Sequence, residues 1–257
     1  MTTTRTGPRL DPDGFSADFG LFLDVDGTLI DIAPSPDAVV VPASLLHDLA
    51  LAEERLEGAL ALISGRTIED LDRLFSPLRL KASGVHGAEF RFHAADASPL
   101  VLAAALPAAT WTDLLDLLAQ FPGTFAENKS FSFAIHYRAA PGSGQALKRR
   151  LEAFLAAHPD HGLTLMPGHY VFEMKRPDVN KGAAIARFME EAAFRGRRPI
   201  FVGDDVTDRP GFETVMSRNG LAYSVSHAAP GVAGTFPNPA AVRQWLAAFI
   251  DPETIRA

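Results

Sequence analysis

The chain of 257 residues contains no cysteine. Disulfide staples, thiolate metal ligands and cysteine nucleophiles are therefore excluded. A cytoplasmic address fits, and other addresses are also open to a cysteine-free chain. Basic charge is not in excess either, with 24 Lys and Arg against 31 Asp and Glu, a net −7. That balance argues against nucleic acid and against anionic membrane surfaces as partners. It also means that the overall field would not steer an anionic substrate, so local cations or a metal must meet it. No stretch approaches the about 20 apolar residues of a membrane span. The first 18 residues lack the apolar core of a secretory leader and read as a disordered tail.

Hydrophobic residues make up 47% of the chain, enough for a real core. The most informative stretch is LFLDVDGTLI, Leu21 to Ile30. Leu21, Phe22, Leu23 and Val25 form an apolar β-forming run of the kind buried on both faces of a parallel sheet. It ends on Asp24 and Asp26, where open α/β sheets place their ligands. Side chains alternate along a strand, so the two carboxylates can share a direction while Val25 points back. Two acids so close repel unless a cation or a shared proton relieves them. The plainer reading is an acidic turn, since Asp-Gly is a common turn dipeptide.

A proline-rich loop follows over Ile32 to Pro42. Ser44 is placed to cap a helix whose apolar face is Leu45, Leu46, Leu49 and Leu56. Ala59 to Ile63 reads as a second buried strand, ending on Ser64-Gly65-Arg66. Thr67 and Asp70 resemble a capping box for the next helix. Lys81 to Val85 reads as a third strand, running into His86-Gly87-Ala88-Glu89. Strands alternating with helices over short links imply a parallel sheet with right-handed crossovers.

The pattern then changes. Trp111 to Phe121 is an amphipathic helix, and Ser130 to Tyr137 alternates strictly, which implies a half-exposed antiparallel strand. Ser130, Ser132, Ala134 and His136 fall on its predicted outer face. Doubly wound patterning returns with the helix opened by Asn180-Lys181-Gly182. A further buried strand, Pro199 to Val202, ends on Gly203-Asp204-Asp205. The expected fold is α/β, a doubly wound, Rossmann-like parallel sheet with an inserted α+β cap. The core takes residues 19–90 and 173–257, and the cap takes 91–172.

Asp24, Asp26, Ser64, Lys181 and Asp204 all fall at predicted strand ends or a helix start, so parallel topology gathers them on one sheet edge. That inventory suits phosphoryl transfer to a carboxylate. Asp24 can attack phosphorus and divide a hard hydrolysis into two steps. Asp26 can protonate the departing oxygen, then take a proton from the attacking water. Oxygen ligands from Asp24, Asp204 and the main-chain carbonyl of Asp26 suit Mg2+. The Ser64 hydroxyl and the Lys181 ammonium can hold the phosphoryl oxygens. Taken singly, Ser64 before Gly65 is only a turn residue, Lys181 a solvated first-turn cation, and Asp204-Asp205 a capped loop. Their order and placement together favour the site.

These residues resemble the four motifs of the haloacid dehalogenase superfamily, and more closely those of its trehalose-6-phosphate phosphatases. The similarity runs through DVDGTL at Asp24–Leu29, SGR at Ser64–Arg66 and HGAE at His86–Glu89. It continues in Glu127-x-Lys129, HYR at His136–Arg138, NKG at Asn180–Gly182 and GDDVTD at Gly203–Asp208. Arg209-Pro210 departs from the family's usual acidic pair and leaves that loop's conformation open. The resemblance implies a Mg2+-dependent phosphatase acting on a small sugar phosphate, with functional coupling to a trehalose-phosphate synthase. It also implies a cap that reads the sugar through Glu127, Lys129 and Glu173. Arg66, His86 and Arg138 are further candidate substrate contacts, with Gly65, Asp205 and Asp208 supporting the site. The alternatives are a phosphatase for sucrose phosphate or for glucosyl- or mannosyl-glycerate phosphate, and a silent sugar-phosphate sensor. A sensor would not need Asp26. A mutase would share the same covalent chemistry.

Overall fold

The computed structural model describes residues 18–32, 39–102, 108–128, 131–168 and 170–250. The tail expected over 1–18 lies outside them, apart from Asp18, as does most of the proline-rich loop. The chain forms two compact units, one of residues 1–100 with 180–257 and one of residues 101–179.

The larger unit begins with β1 (Phe19–Leu23), α1 (Ala43–Arg55), β2 (Leu60–Ile63), α2 (Ile68–Leu74), β3 (Lys81–Gly84) and β4 (Glu89–Arg91), and β5 (Leu100–Val101) straddles the division between the units. The smaller unit holds α3 (Ala108–Leu118), β6 (Phe125–Asn128), β7 (Ser132–His136), α4 (Gly144–Ala157), β8 (Thr164–Gly168) and β9 (Val171–Lys175). The larger unit then resumes with α5 (Lys181–Phe188), β10 (Arg198–Gly203), α6 (Arg209–Ser217), β11 (Leu221–Val225), β12 (Gly234–Phe236) and α7 (Pro239–Ile250).

Eight strands form the main sheet in the order β12-β11-β10-β1-β2-β3-β4-β5. β1 runs parallel to both β2 and β10. From β1 the chain steps outward through β2 to β3, and from β10 it steps the other way through β11 to β12. Right-handed crossovers therefore put the two sets of helices on opposite faces. The order reverses between β1 and β10, the switch point at which such sheets leave a crevice at their carboxyl ends. β1 can sit there because it is apolar throughout: Leu21, Phe22 and Leu23 are fully buried, and Phe22 stacks on Phe194 with ring centroids 5.0 Å apart. Truncating a buried Phe of this kind costs about 3–5 kcal/mol, so the strand that carries the acids is firmly anchored.

Three local expectations can be compared with the structure. Helix α1 starts at Ala43 after Pro42, whose side chain offers no cap, so Ser44 lies inside the helix. Thr67 does cap α2, accepting the Asp70 amide at 3.1 Å. The units divide at 100/101 and 179/180, whereas the sequence pattern places the divisions at 90/91 and 172/173. The first shift arises because β4 folds back antiparallel on β3. The second arises because β9 pairs with β7 and β8, which places Glu173 to Lys175 in the smaller unit.

In that unit four strands pair as β6-β7-β9-β8. Phe133, Ile135, Phe172 and Met174 face a core shared with Leu114, Leu147 and other residues of α3 and α4. On the other face, Glu127, Ala134, Glu173 and Met166 form one cross-strand row. The exposed face expected of β7 is largely closed, because Ser132 and Ala134 are each 3% exposed. The Ser132 hydroxyl donates to Glu173 Oε1 at 2.9 Å, so the longer neighbour shadows the small one.

Candidate active site

The residue after β1 is Asp24. Its amide donates to Val202 O of β10 at 3.0 Å, so the strand pairing continues to the acid itself. The chain then turns tightly, with the Leu29 and Ile30 amides both returning to Val25 O. Gly27 sits at the turn with φ +79°, and a Cβ there would fall on the Asp204 carboxylate. The turn brings the Thr28 hydroxyl to 3.2 Å from Asp24 Oδ2 and 3.3 Å from Asp204 Oδ1. A residue from the first motif thus spans acids from β1 and β10.

Lys181 opens α5, whose N-cap Asn180 accepts the Ala183 amide at 2.9 Å. Its ammonium reaches Asp24 Oδ1 and Asp208 Oδ1, each at 2.6 Å. Asp208 turns its other oxygen to the Asp204 and Asp205 amides, both at 2.9 Å. Both oxygens of Asp208 are therefore occupied in holding the loop and the lysine. Asp205 caps the short turn before α6 and belongs to a capping box with Asp208.

Asp24, Lys181 and Asp208 are all nearly inaccessible. Burial pushes the Asp24 carboxyl well above the ordinary carboxylate range, with Lys181 opposing and Asp208 and Asp204 reinforcing. Asp204 is raised as well, chiefly by burial, with its contact to Asp24 opposing. Burial alone would loosen the Lys181 proton, but the carboxylates of Asp208 and Asp24 overcome it and hold the ammonium more tightly than usual. Oxygens of Asp24, Asp204 and Asp208 lie within 4.8 Å of one another. With all three ionised, these carboxylates would outnumber the one ammonium by two charges. A hard divalent cation fits that donor set.

Asp26 engages a different partner. Its carboxylate is gripped by Arg66, with Nε 2.7 Å from Oδ2 and Nη2 2.6 Å from Oδ1. The carboxylate thus stands outside the acidic cluster, and the ligand expected of Asp26 is its main-chain carbonyl. Ser64 is buried, and its Oγ accepts the Arg66 amide at 3.1 Å. His86 lies against Gly65, where a Cβ would come within 2.7 Å of the imidazole.

In the smaller unit, Glu127 is exposed, with its carboxylate 3.6 Å from His136 Nε2, and Phe125 stacks on that histidine. Glu173 is partly buried between Ser132 and Lys175. Arg138 is exposed beyond the end of β7. Lys129 lies outside the described residues. Sequence reasoning assigns Thr28, Gly27 and Glu89 no part in the site. Thr28 and Gly27 stand in plain view within DVDGT, and Glu89 within HGAE.

A sequence profile of the Trehalose-phosphatase family matches residues 22–238. The trehalose-6-phosphate phosphatase of Escherichia coli (strain K12) is 39% identical over 241 residues, 94% of this chain and 90% of that protein. A probable trehalose-phosphate phosphatase of Sinorhizobium fredii (strain NBRC 101917 / NGR234) is 39% identical over 237 residues, 90% of this chain and 87% of that protein. The C-terminal domain of a Candida albicans trehalose-6-phosphate phosphatase shares the fold, with a TM-score of 0.75 at 18% identity over 91% of this chain and 92% of that one.

Proposed function

This chain belongs to the trehalose-phosphatase family, and from that premise we propose that it hydrolyses trehalose 6-phosphate to trehalose and phosphate through a phosphorylated Asp24. The observation that carries the reading is the group formed by buried Asp24 and Asp208 and half-buried Asp204 around Lys181. A carboxylate nucleophile needs such a place, screened from water and oriented by a fixed cation.

In the first step an Asp24 oxygen attacks phosphorus, and the bond from phosphorus to the sugar oxygen breaks. Asp26, the more exposed of the two acids, gives its proton to that oxygen. In the second step water attacks phosphorus, Asp26 takes a proton from it, and the bond to Asp24 breaks to release phosphate. Lys181 has three N–H donors, of which Asp24 and Asp208 take two, leaving one for a phosphoryl oxygen. Ser64 Oγ accepts from the Arg66 amide, which leaves its own proton to donate. Bound through Asp24, Asp204 and the Asp26 carbonyl, Mg2+ would neutralise charge on the transferring group.

For the sugar, the groups we propose are Glu127 and Glu173, supported by their shared cross-strand row. Fixed polar groups of this kind are what hydroxyl recognition requires. Arg138, Lys129 and His86 remain proposed contacts of the same kind. A synthase that makes trehalose 6-phosphate would supply the substrate. The address we propose is cytoplasmic, on the cysteine-free composition; among the described residues no helix is long and apolar enough to cross a membrane.

The test is phosphate release from a panel of sugar phosphates, with Mg2+ and with EDTA. Trehalose 6-phosphate should lead the panel, and EDTA should stop it. Preference for sucrose phosphate or a glycosylglycerate phosphate would move the reading to a related phosphatase. No release from any of them would make the chain a sensor.

A further inference from the structure

We propose that Arg66 is a positioning residue for the proton donor, fixing the plane and direction of the Asp26 carboxylate, and not a ligand of the substrate phosphate. The proposal rests on the reading of Asp26 as acid and base given above.

The first observation is the pair itself. Two guanidinium nitrogens meet the two oxygens of one carboxylate at 2.7 and 2.6 Å, the fork-to-fork arrangement that sets orientation as well as distance. A carboxylate offers about four lone-pair sites. The fork takes two, so Asp26 keeps sites at which a proton can arrive and leave. The Asp26 side chain is 37% exposed and that of Arg66 14% exposed. The acid is therefore open to solvent while its cation is largely enclosed.

The second observation is that the amide and the carbonyl of Arg66 are both tied. Its amide donates to Ser64 Oγ at 3.1 Å, and its carbonyl accepts the Val85 amide at 2.9 Å. The His86 amide returns to Ser64 O at 2.9 Å, and the Ser64 amide donates to Ser83 O at 2.9 Å. One residue past Thr67, the Ile68 amide donates to Glu89 Oε2 at 2.9 Å. To make these bonds, Val85 and His86 adopt φ of 47° and 55°. Consecutive left-handed residues, one of them β-branched, persist only where the surroundings over-determine them, and such places gather at working sites. The HGAE segment thus gains a physical role, for it pins the SGR loop, and the loop aims Arg66. An incidental surface ion pair would have no such support.

Arg66 could instead have met the substrate phosphate directly, since a guanidinium fork suits that anion equally. The two roles differ in what a variant loses. A positioning residue acts only through Asp26, so its loss appears in kcat, and most strongly where the leaving group also needs a proton. A phosphate ligand acts on every phosphate monoester, and its loss appears in KM.

The experiment compares wild type, Arg66→Gln, Arg66→Lys, Asp26→Asn and the Arg66→Gln/Asp26→Asn double variant, with trehalose 6-phosphate and with p-nitrophenyl phosphate, at saturating Mg2+. Arg66→Gln should lower kcat for the sugar phosphate about 10–100-fold through the misplaced acid. It should change p-nitrophenyl phosphate turnover much less and leave both KM values near wild type. The double variant should be no slower than Asp26→Asn alone, within about twofold, because coupled residues do not add. Arg66→Lys, which keeps the charge but loses the fork, should recover part of the loss. Thermal melts of each variant separate misfolding from misplacement.

Additive losses, an equal rise in KM for both substrates, or a faster Arg66→Gln enzyme would each overturn the proposal. Failure of the functional reading looks different: Asp26→Asn would then lose nothing on either substrate, whatever Arg66 does.

Discussion

Lys181 Nζ lies 2.6 Å from Asp24 Oδ1 across 157 positions of sequence, and both side chains are almost completely buried. The contact ties the helix that follows the inserted unit to the first strand of the core. It also opposes the burial that pushes the Asp24 carboxyl toward its neutral form.

Lys181→Met should therefore do more than reduce activity. Breaking a buried ion pair from one side typically costs about 3–5 kcal/mol. Here Asp24 and Asp208 would both lose their cation. Asp24 already lies above the ordinary range through burial, so without Lys181 it should protonate more readily still. Stability held by a raised carboxyl is present below its unfolded pKa and is lost as pH rises through the folded one. The variant should accordingly be closer to wild type in urea melts at pH 5 than at pH 7.5. An equal deficit at both values would contradict this.

Metal should show the same sign. Asp24 and Asp204 are both raised, so the metal-free chain loses stability from about pH 4 upward, as these acids ionise against one another. A divalent cation needs them ionised and relieves that repulsion. The rise in melting temperature caused by Mg2+ should thus be small at pH 5 and larger at pH 7.5. Asp204→Ala should shrink it and raise the Mg2+ concentration needed for turnover, and EDTA should silence the wild type. Full activity in metal-free protein would remove Asp24 and Asp204 as ligands.

Gly27→Ala tests the turn. The added methyl would meet the Asp204 carboxylate, and a φ of +79° is costly for any residue with a Cβ. The variant should fold, lose about 1–2 kcal/mol, and need much more Mg2+. A variant with wild-type Mg2+ dependence would show that Asp204 does not have to sit against the turn.

Much of this is legible in the sequence. An apolar run ending on Asp24, a second ending on Asp204, and a lysine opening a helix point to a parallel sheet with its site at the strand ends. The fold and the family agree with that expectation. What the sequence hides depends on side-chain direction. Period-two alternation cannot tell that Asp26 leaves the cluster for Arg66, because the partner is set by a loop 40 residues away. Nor can it tell that Asp208 spends both oxygens on Lys181 and two amides. The face of β7 misleads in the same way: Ser132 and Ala134 alternate like solvent-facing residues, yet both are buried, with Ser132 bonded to Glu173.

Sugar recognition separates from phosphoryl chemistry by choice of substrate. Glu127→Ala should damage trehalose 6-phosphate hydrolysis, with a lost charged hydrogen bond costing about 1.5–3 kcal/mol. That corresponds to about one to two decades in kcat/KM. p-Nitrophenyl phosphate offers no sugar hydroxyls and should be turned over nearly as before. Equal loss on both substrates would make Glu127 structural.

The most direct measurement is phosphate release from trehalose 6-phosphate by Asp24→Asn beside wild type, with Mg2+ saturating and both proteins melting alike. Asn keeps the shape of the side chain but is neither a nucleophile nor an anionic ligand. Turnover should vanish, and wild type quenched with acid during catalysis should carry a phosphoryl group on the peptide that contains Asp24. Substantial turnover by Asp24→Asn would contradict the covalent mechanism.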